Sequence, residues 1–378
     1  MTERAAGGSV LFDTGPLRTG SLFREPIDIV EAWHPRDIEV SFDKLEAARS
    51  EGKWIAGCAS YELGYTLIPK ISSRTPAIRS QPLMQFGIFD GPDTPPRTTP
   101  TAEVNLGPFT PAWSFDTYRR AFGTVHNYLK SGDIYQANLT FPMSAVLEGC
   151  PHSLYEALKR KQPVPYGALV DLGGAKLLSR SPELFFSLSQ MGELRTRPMK
   201  GTIRRSPMQT EDEDLKHCLA HSEKDRAENL MITDLLRNDL SRISEVGSVS
   251  VPKLFEIESY TTVHQMISEV VSQILPNRSL MDIFTALFPC GSITGAPKIR
   301  AMDILANVET TPRGSYCGTI GWIAPDGTME FNVAIRTLIC EPSGQVTLNV
   351  GGGIVYDSTA AGEYHEAKLK ALFAKLCD

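Results

Sequence analysis

An α+β fold with largely antiparallel sheets is what this sequence predicts, on two observations. Strand-like runs follow one another directly at 166–171, 177–179 and 183–188, and again at 318–324, 329–338 and 346–350. Spacers this short close hairpins, which join antiparallel strands, whereas parallel neighbours need a crossover. Helical periodicity falls between only some of the strands, which excludes a strict strand–helix alternation and its parallel sheet.

Taken in order, the chain first shows a proline-dense stretch within 84–112, including Pro92, Pro95, Pro96, Pro100, Pro108 and Pro111. Proline lacks the amide donor and fixes φ, so neither a regular helix nor a central strand fits there. The stretch reads as a surface crossing between an N-terminal portion, 1–111, and a main body, 112–378, the two forming one compact unit. Over 115–130 the apolar residues Tyr118, Phe122, Val125, Tyr128 and Leu129 recur at helical spacing, and Ser131-Gly132-Asp133 stops the helix. A strand at 134–142, a helix at 153–161 and the first strand cluster follow. Lys200 stands two residues after Pro198 and directly before Gly201, which reads locally as a turn with a placed or merely exposed amine. A long helix is predicted over 211–241, strands over 249–254 and 259–274, and helices over 280–287 and 296–307. The second strand cluster precedes a last helix, 360–376.

Composition excludes several functions. The 378 residues are 42% hydrophobic and 22% charged, ordinary globular material with enough apolar residues for a sizeable core. With 38 basic against 44 acidic residues the net charge is −6, which offers no general attraction for nucleic acid or an anionic membrane surface. An anionic substrate therefore requires a local basic pocket. The N-terminus lacks the apolar core of a signal peptide and no later run approaches the length of a membrane span, so a cytoplasmic location with no membrane partner is predicted. The seven cysteines are scattered and form no Cys-x-x-Cys pair, which indicates neither a disulfide framework nor a thiolate zinc site.

Several constellations carry possible chemistry. Asp225 and Glu228 lie three apart on one helix face, and Glu363, Glu366 and Lys370 are aligned on another. Each set alone fits a solvated ridge; converging, the two supply the oxygen ligands that magnesium takes while leaving positions for water and substrate. Gly351-Gly352-Gly353 follows a strand and exposes backbone amides to an anion, or else forms a tight turn. Gly291 to Lys298 leads into a helix with Pro297 near its start, and it lacks the Gly-Lys-Ser/Thr of a nucleotide loop. His264 lies in an alternating strand, a common place for a structural histidine.

In order, Asp133-Ile-Tyr-Gln-Ala-Asn-Leu-Thr140, Ser181-Pro-Glu-Leu-Phe185, Pro198-Met-Lys-Gly-Thr202, Asp234-Leu-Leu-Arg-Asn-Asp239, Phe288 to Lys298 and Gly353-Ile-Val-Tyr-Asp357 closely resemble the chorismate-utilising enzymes over about residues 112 to 376. A weaker echo lies at Gly57 to Tyr65. The resemblance implies the anthranilate synthase component I-like fold, with largely antiparallel sheets packed as a sandwich and helices outside.

Within that family Lys200 marks the branch that aminates chorismate at C4, since members acting at C2 typically carry alanine there. The resemblance implies that Lys200 attacks C2 covalently while Glu183 protonates the departing C4 hydroxyl, with His264 and Ser292 lining the ring. It implies Mg²⁺ on Glu228 and Glu366, with Asp225 and Glu363 behind them or on bound water. Thr202, Ser292, Tyr316, Arg336, Gly353 and Lys370 are implied as substrate contacts. No Cys-His-Glu glutaminase segment is recognisable, so ammonia is expected to arrive free or from a separate glutamine amidotransferase subunit, for para-aminobenzoate and folate synthesis. The segment Val10-Leu11-Phe12-Asp13 sits where tryptophan-regulated relatives have Leu-Leu-Glu-Ser, and the departure speaks against tryptophan feedback. An anthranilate synthase component I and a catalytically silent chorismate-binding scaffold are the competing expectations.

Overall fold

A computed structural model describes residues 7–96, 104–260 and 263–376. Two antiparallel sheets face each other. In the first the strand order is Gly295–Ala296, Gln136–Glu148, Gln345–Ile354, Thr337–Cys340, Lys176–Ser181, Tyr166–Asp171, Ser9–Phe12 and Ser21–Arg24. The second runs Met199–Arg204, Val263–Gln273, Glu193–Thr196, Leu184–Leu188, Met329–Val333, Thr319–Ile323, Trp54–Ala59, Met84–Phe89 and Asp28–Ala32, and Ser250–Ser259 also pairs with Val263–Gln273. The fold is α+β, as expected.

Apolar residues from both sheets, among them Val10, Phe23, Val170, Ile320 and Trp322, fill the space between them. Two further cores cover the outer faces. Helices Ile38–Ser50, Glu223–Ser241 and Leu280–Leu287 pack on the second sheet through Phe42, Leu236 and Phe284. Helices Phe115–Lys130, Pro151–Lys161, Lys298–Val308 and Ala360–Lys370 pack on the first through Tyr118, Leu154, Leu305 and Ala367. Burying apolar area on both faces of each sheet is the main source of stability in such a layering.

Local chemistry explains why the helices start and stop where they do. Phe115–Lys130 begins at Ser114, whose hydroxyl accepts the Thr117 amide at 3.2 Å, and buries Tyr118, Phe122, Val125 and Leu129 along one stripe. Gly132, at φ +75°, follows its end. The helix expected over 211–241 is two, Gln209–Ala220 and Glu223–Ser241. The Ser222 hydroxyl accepts the Asp225 amide at 3.3 Å and starts the second helix afresh. The last helix likewise stops at Lys370 and gives way to a 3₁₀ turn, Ala371–Ala374.

Two departures from expectation matter for the site. The run expected as one strand, 329–338, is divided: Met329–Val333 lies in the second sheet and Thr337–Cys340 in the first, with Arg336 at φ +50° where the chain crosses between them. Residues 199–204, read as a turn, form the edge strand Met199–Arg204, whose pairing shifts between Met199 and Thr202 around Gly201 at φ +88°. The expected strand 259–274 is Val263–Gln273, with 261 and 262 outside the described residues.

Strands of residues 9–89 occupy edge positions in both sheets, joined to the body through Ser9–Phe12 against Tyr166–Asp171 and Trp54–Ala59 against Thr319–Ile323. Of the proline-dense stretch, 97–103 lie outside the described residues. Among those described, no helix is long and apolar enough to cross a membrane.

Candidate active site

The edge strand of the second sheet meets the glycine strand of the first, and Lys200 stands at that junction. A Cβ placed on Gly353 would lie 3.2 Å from Lys200 Nζ and 2.8 Å from Gln136 Nε2. One placed on Gly352 would lie 2.9 Å from Glu363 Oε2 and 3.6 Å from Lys370 Nζ. The glycines leave room for the ends of these four side chains, which a Cβ at either position would push aside. Gly201 plays the same part on the lysine strand: a Cβ there would come within 2.9 Å of Asp225 Cβ, in a backbone conformation that other residues rarely adopt.

Lys200 is half-buried and makes no hydrogen bond or ion pair with the described residues. Removal from water depresses its pKa; Glu228 opposes that shift and the nearby positive charge of Lys370 reinforces it. Glu183 is 4% exposed and sits beside it. Burial raises the Glu183 carboxyl from 4.5 to about 7, while the Ser292 hydroxyl, the Lys200 charge, the Met199 amide and the Arg336 charge pull the other way. Glu183 Oε1 has no partner among the described residues. Arg336 adds a guanidinium that makes no hydrogen bond or ion pair among them and whose own pKa burial lowers. Ser292 rides on the 3₁₀ turn Gly291–Ile293, 3.3 Å from Cys290 Sγ. Tyr316 is buried, and its hydroxyl is pushed well above its ordinary pKa.

Carboxylates come from two helices. Asp225 and Glu228 project from the first turns of Glu223–Ser241 and form no ion pair among the described residues. On Ala360–Lys370, Glu363 accepts a hydrogen bond from the Ser358 hydroxyl at 2.6 Å, and Glu366 pairs with Lys370 at 2.9 Å. Lys370 Nζ also donates to Gly351 O at 3.0 Å, tying this helix to the glycine strand. The charges of Glu228 and Glu366 both act on Lys200, and that of Lys224 acts on both Glu363 and Glu366, so the two helices share one electrostatic site. No group of three or more His, Cys, Asp or Glu among the described residues is placed to hold a metal ion by itself. The set nevertheless fits Mg²⁺, which takes one or two carboxylates and fills its octahedron with water and substrate oxygens.

Two of the sequence-derived residues stand apart. His264 is 1% exposed, with Nδ1 2.8 Å from Ser259 Oγ and Nε2 3.0 Å from Asp212 Oδ1. Both ring nitrogens are thus committed to a structural cluster in which Asp212 also binds Arg205 and the Ser206 amide. The expected place of His264 at the ring is corrected on that ground. Thr202 lies on the lysine strand but is exposed.

Sequence reasoning passed over Gln136. It is fully buried, its amide nitrogen and oxygen both lack a partner among the described residues, and it adjoins Lys200 across Gly353. Buried amides are rarely left without a protein or water partner, so an unmet one beside a reactive amine marks a ligand-facing group. Its place in Asp133 to Thr140 was the available signal.

Where its two sheets meet, this sandwich gathers an amine, a buried acid, a guanidinium without a partner among the described residues and carboxylates from two helices. The chain belongs to the family of chorismate binding enzymes, whose model matches residues 10–375. Aminodeoxychorismate synthase component 1 of Klebsiella aerogenes is 42% identical over 261 residues, covering 68% of this chain and 57% of that protein. The protein of the same name from Escherichia coli K12 is 42% identical over 251 residues, covering 66% and 55%. This chain thus matches a little over half the length of these curated relatives. The crystal structure of anthranilate synthase component I from Streptococcus pneumoniae superposes with a TM-score of 0.80 at 25% identity, covering 99% of this chain and 93% of that one.

Proposed function

We propose that the protein replaces the C4 hydroxyl of chorismate with an amine to give 4-amino-4-deoxychorismate, supplying para-aminobenzoate for folate synthesis. The observation that carries this reading is that Lys200 and Glu183 lie close enough for the charge of each to act on the other. Burial lowers the pKa of the amine and raises that of the acid to about 7, which shifts the one toward the neutral nucleophile and the other toward the protonated acid that the reaction needs.

Neutral Lys200 Nζ attacks C2, the ring double bonds shift, and the C4–oxygen bond breaks as Glu183 gives its proton to the departing hydroxyl, releasing water. Ammonia then bonds to C4, the double bonds shift back, and the C2–nitrogen bond breaks to return the lysine. Glu183, now a carboxylate, takes up a proton from the new C4 ammonium. Two displacements leave the amine on the face the hydroxyl held.

Arg336 and Tyr316 hold the enolpyruvyl carboxylate, the guanidinium by a fork of two N–H donors. The Gly353 amide and Lys370 complete an anion pocket inside an acidic protein. Glu228 and Glu366 would hold Mg²⁺, with Asp225 and Glu363 orienting them or their waters; bound there, the cation neutralises the substrate's ring carboxylate.

The words "component 1" in the relatives' names imply a further component of those proteins; for this chain that partner is a separate glutamine amidotransferase subunit that supplies ammonia. Mass spectrometry of the product from chorismate, ammonium and Mg²⁺ tests the reading. A product that keeps the enolpyruvyl group is expected; pyruvate release with anthranilate would replace the proposal by the C2 reaction, and no turnover with retained chorismate binding would make the chain a scaffold. The isolated chain should use ammonium but not glutamine until the amidotransferase is added, and glutamine use by the chain alone would refute the separate-subunit arrangement.

A further inference from the structure

Behind the pocket lies a second charged cluster that takes no part in the chemistry above. Arg313 is 3% exposed, and its guanidinium is held from both ends by Glu309, Nε to Oε2 at 2.8 Å and Nη2 to Oε1 at 2.8 Å. It lies 4.2 Å from the centre of the Tyr61 ring. Its two remaining hydrogen bonds go to backbone carbonyls of two different segments of the site: Nη1 donates to Ile293 O at 3.1 Å and Nη2 to Asn138 O at 2.7 Å.

Those two carbonyls are well placed to matter. Ile293 is the neighbour of Ser292 on the turn Gly291–Ile293. Asn138 is the register partner of Gly353, and its amide binds Thr294 O at 2.9 Å, closing the other side of the same turn. The backbone of Arg313 reaches a third segment, since its carbonyl accepts the Tyr316 amide at 3.3 Å. Glu309 extends the grip by accepting both the amide and the hydroxyl of Thr140, at 2.9 and 3.0 Å. The cluster is itself anchored, because Glu62 accepts the amides of Arg313 and Gly314 at 2.7 and 3.1 Å.

We infer that Arg313 is a positioning residue: one rigid guanidinium, clamped by Glu309, sets the spacing between the Ser292 turn, the Gly353 strand pair and the Tyr316 turn, and so the shape of the chorismate pocket. A lysine has the charge but not the planar fork, so it cannot bridge both segments while holding Glu309 at two points. The inference rests on the reading of Ser292, Tyr316 and Gly353 as substrate contacts.

A double-mutant cycle on kcat/KM with chorismate, ammonium and Mg²⁺ tests it, using Arg313→Lys, Ser292→Ala and the double variant, with thermal melting of each. Arg313→Lys is expected to raise KM for chorismate and to lower kcat/KM by about tenfold or more. The double variant should be little worse than Arg313→Lys alone, because the turn that presents Ser292 is already released. Additive losses, or a kcat/KM that changes only in step with the melting temperature, would reduce Arg313 to a structural ion pair. If Arg313→Lys does not fold, Glu309→Gln enters the same cycle, since it loosens the clamp but leaves the guanidinium. Ser292→Ala with wild-type kinetics would overturn the substrate-contact reading and this inference with it. An impaired Ser292→Ala beside a wild-type Arg313→Lys would overturn this inference alone.

Discussion

Glu183→Gln separates the cost of the acid from its use. In the wild type the carboxyl is 4% exposed and its pKa stands at about 7 rather than 4.5. A group whose folded-state pKa is raised is neutral in both states at low pH and contributes nothing there. As pH climbs from about 4.5 to about 7 the unfolded chain has lost the proton and the fold retains it, so stability declines across that window. Above it the full penalty applies, worth about 3 kcal/mol for a rise of this size. Glutamine keeps the shape and removes the charge. The variant should therefore match the wild type near pH 4.5 and exceed its stability by roughly 3 kcal/mol at pH 8, or about 4 °C in Tm for a chain of this length. Turnover should be lost, because no proton is available for the departing hydroxyl. Calorimetry of both proteins from pH 4.5 to 8.5, with the variant measured against the wild type at each pH, cancels the titrating groups that Glu183 does not touch. A difference that does not change across that range would refute the reasoning, as would a variant less stable than the wild type at pH 8.

Lys200→Ala should fold normally but lose nearly all C4 amination. Intact-protein mass spectrometry after rapid quench with chorismate should show the wild type carrying chorismate less water and the variant carrying nothing, and full amination by the variant would exclude covalent catalysis. Glu366→Gln removes a carboxylate that is 59% exposed, so stability should shift by less than about 1 kcal/mol while the Mg²⁺ needed for half-maximal activity rises about tenfold or more; an unchanged magnesium titration would take Glu366 out of the metal site. Gln136→Leu exchanges an unmet buried amide for an apolar side chain of similar size, which should raise stability by about 1 kcal/mol or more and lower turnover at least tenfold. A less stable variant with normal turnover would show that the amide serves the fold instead.

What the sequence could determine was local. The stripe Tyr118, Phe122, Val125 and Leu129 gives Phe115–Lys130 without reference to any other segment, because one buried face is enough to place a helix. The carboxylate pairs Asp225 with Glu228 and Glu363 with Glu366 were legible for the same reason, and Lys200 stood out between proline and glycine. Long ordered motifs then supplied the family, and with it the sandwich.

The remainder depended on which distant segments meet. Whether Lys200 sat in a turn or a strand was decided by pairing with Val263–Gln273, and its neighbours Gln136 and Gly353 come from the other sheet. His264 looked available in the sequence, yet Asp212 and Ser259 occupy both its nitrogens. Arg313 gave no signal beyond one more charge, and only burial between Glu309, Ile293 and Asn138 makes it a clamp. The strands of residues 9–89 went unread, and the two that join them to the sheets, Ser9–Phe12 and Trp54–Ala59, pair with segments far along the chain. The physical reason is common to all of these: helical periodicity and capping act over a few residues, whereas a hydrogen bond across a sheet edge or a buried ion pair joins residues tens to hundreds of positions apart, and only tertiary packing chooses the partner.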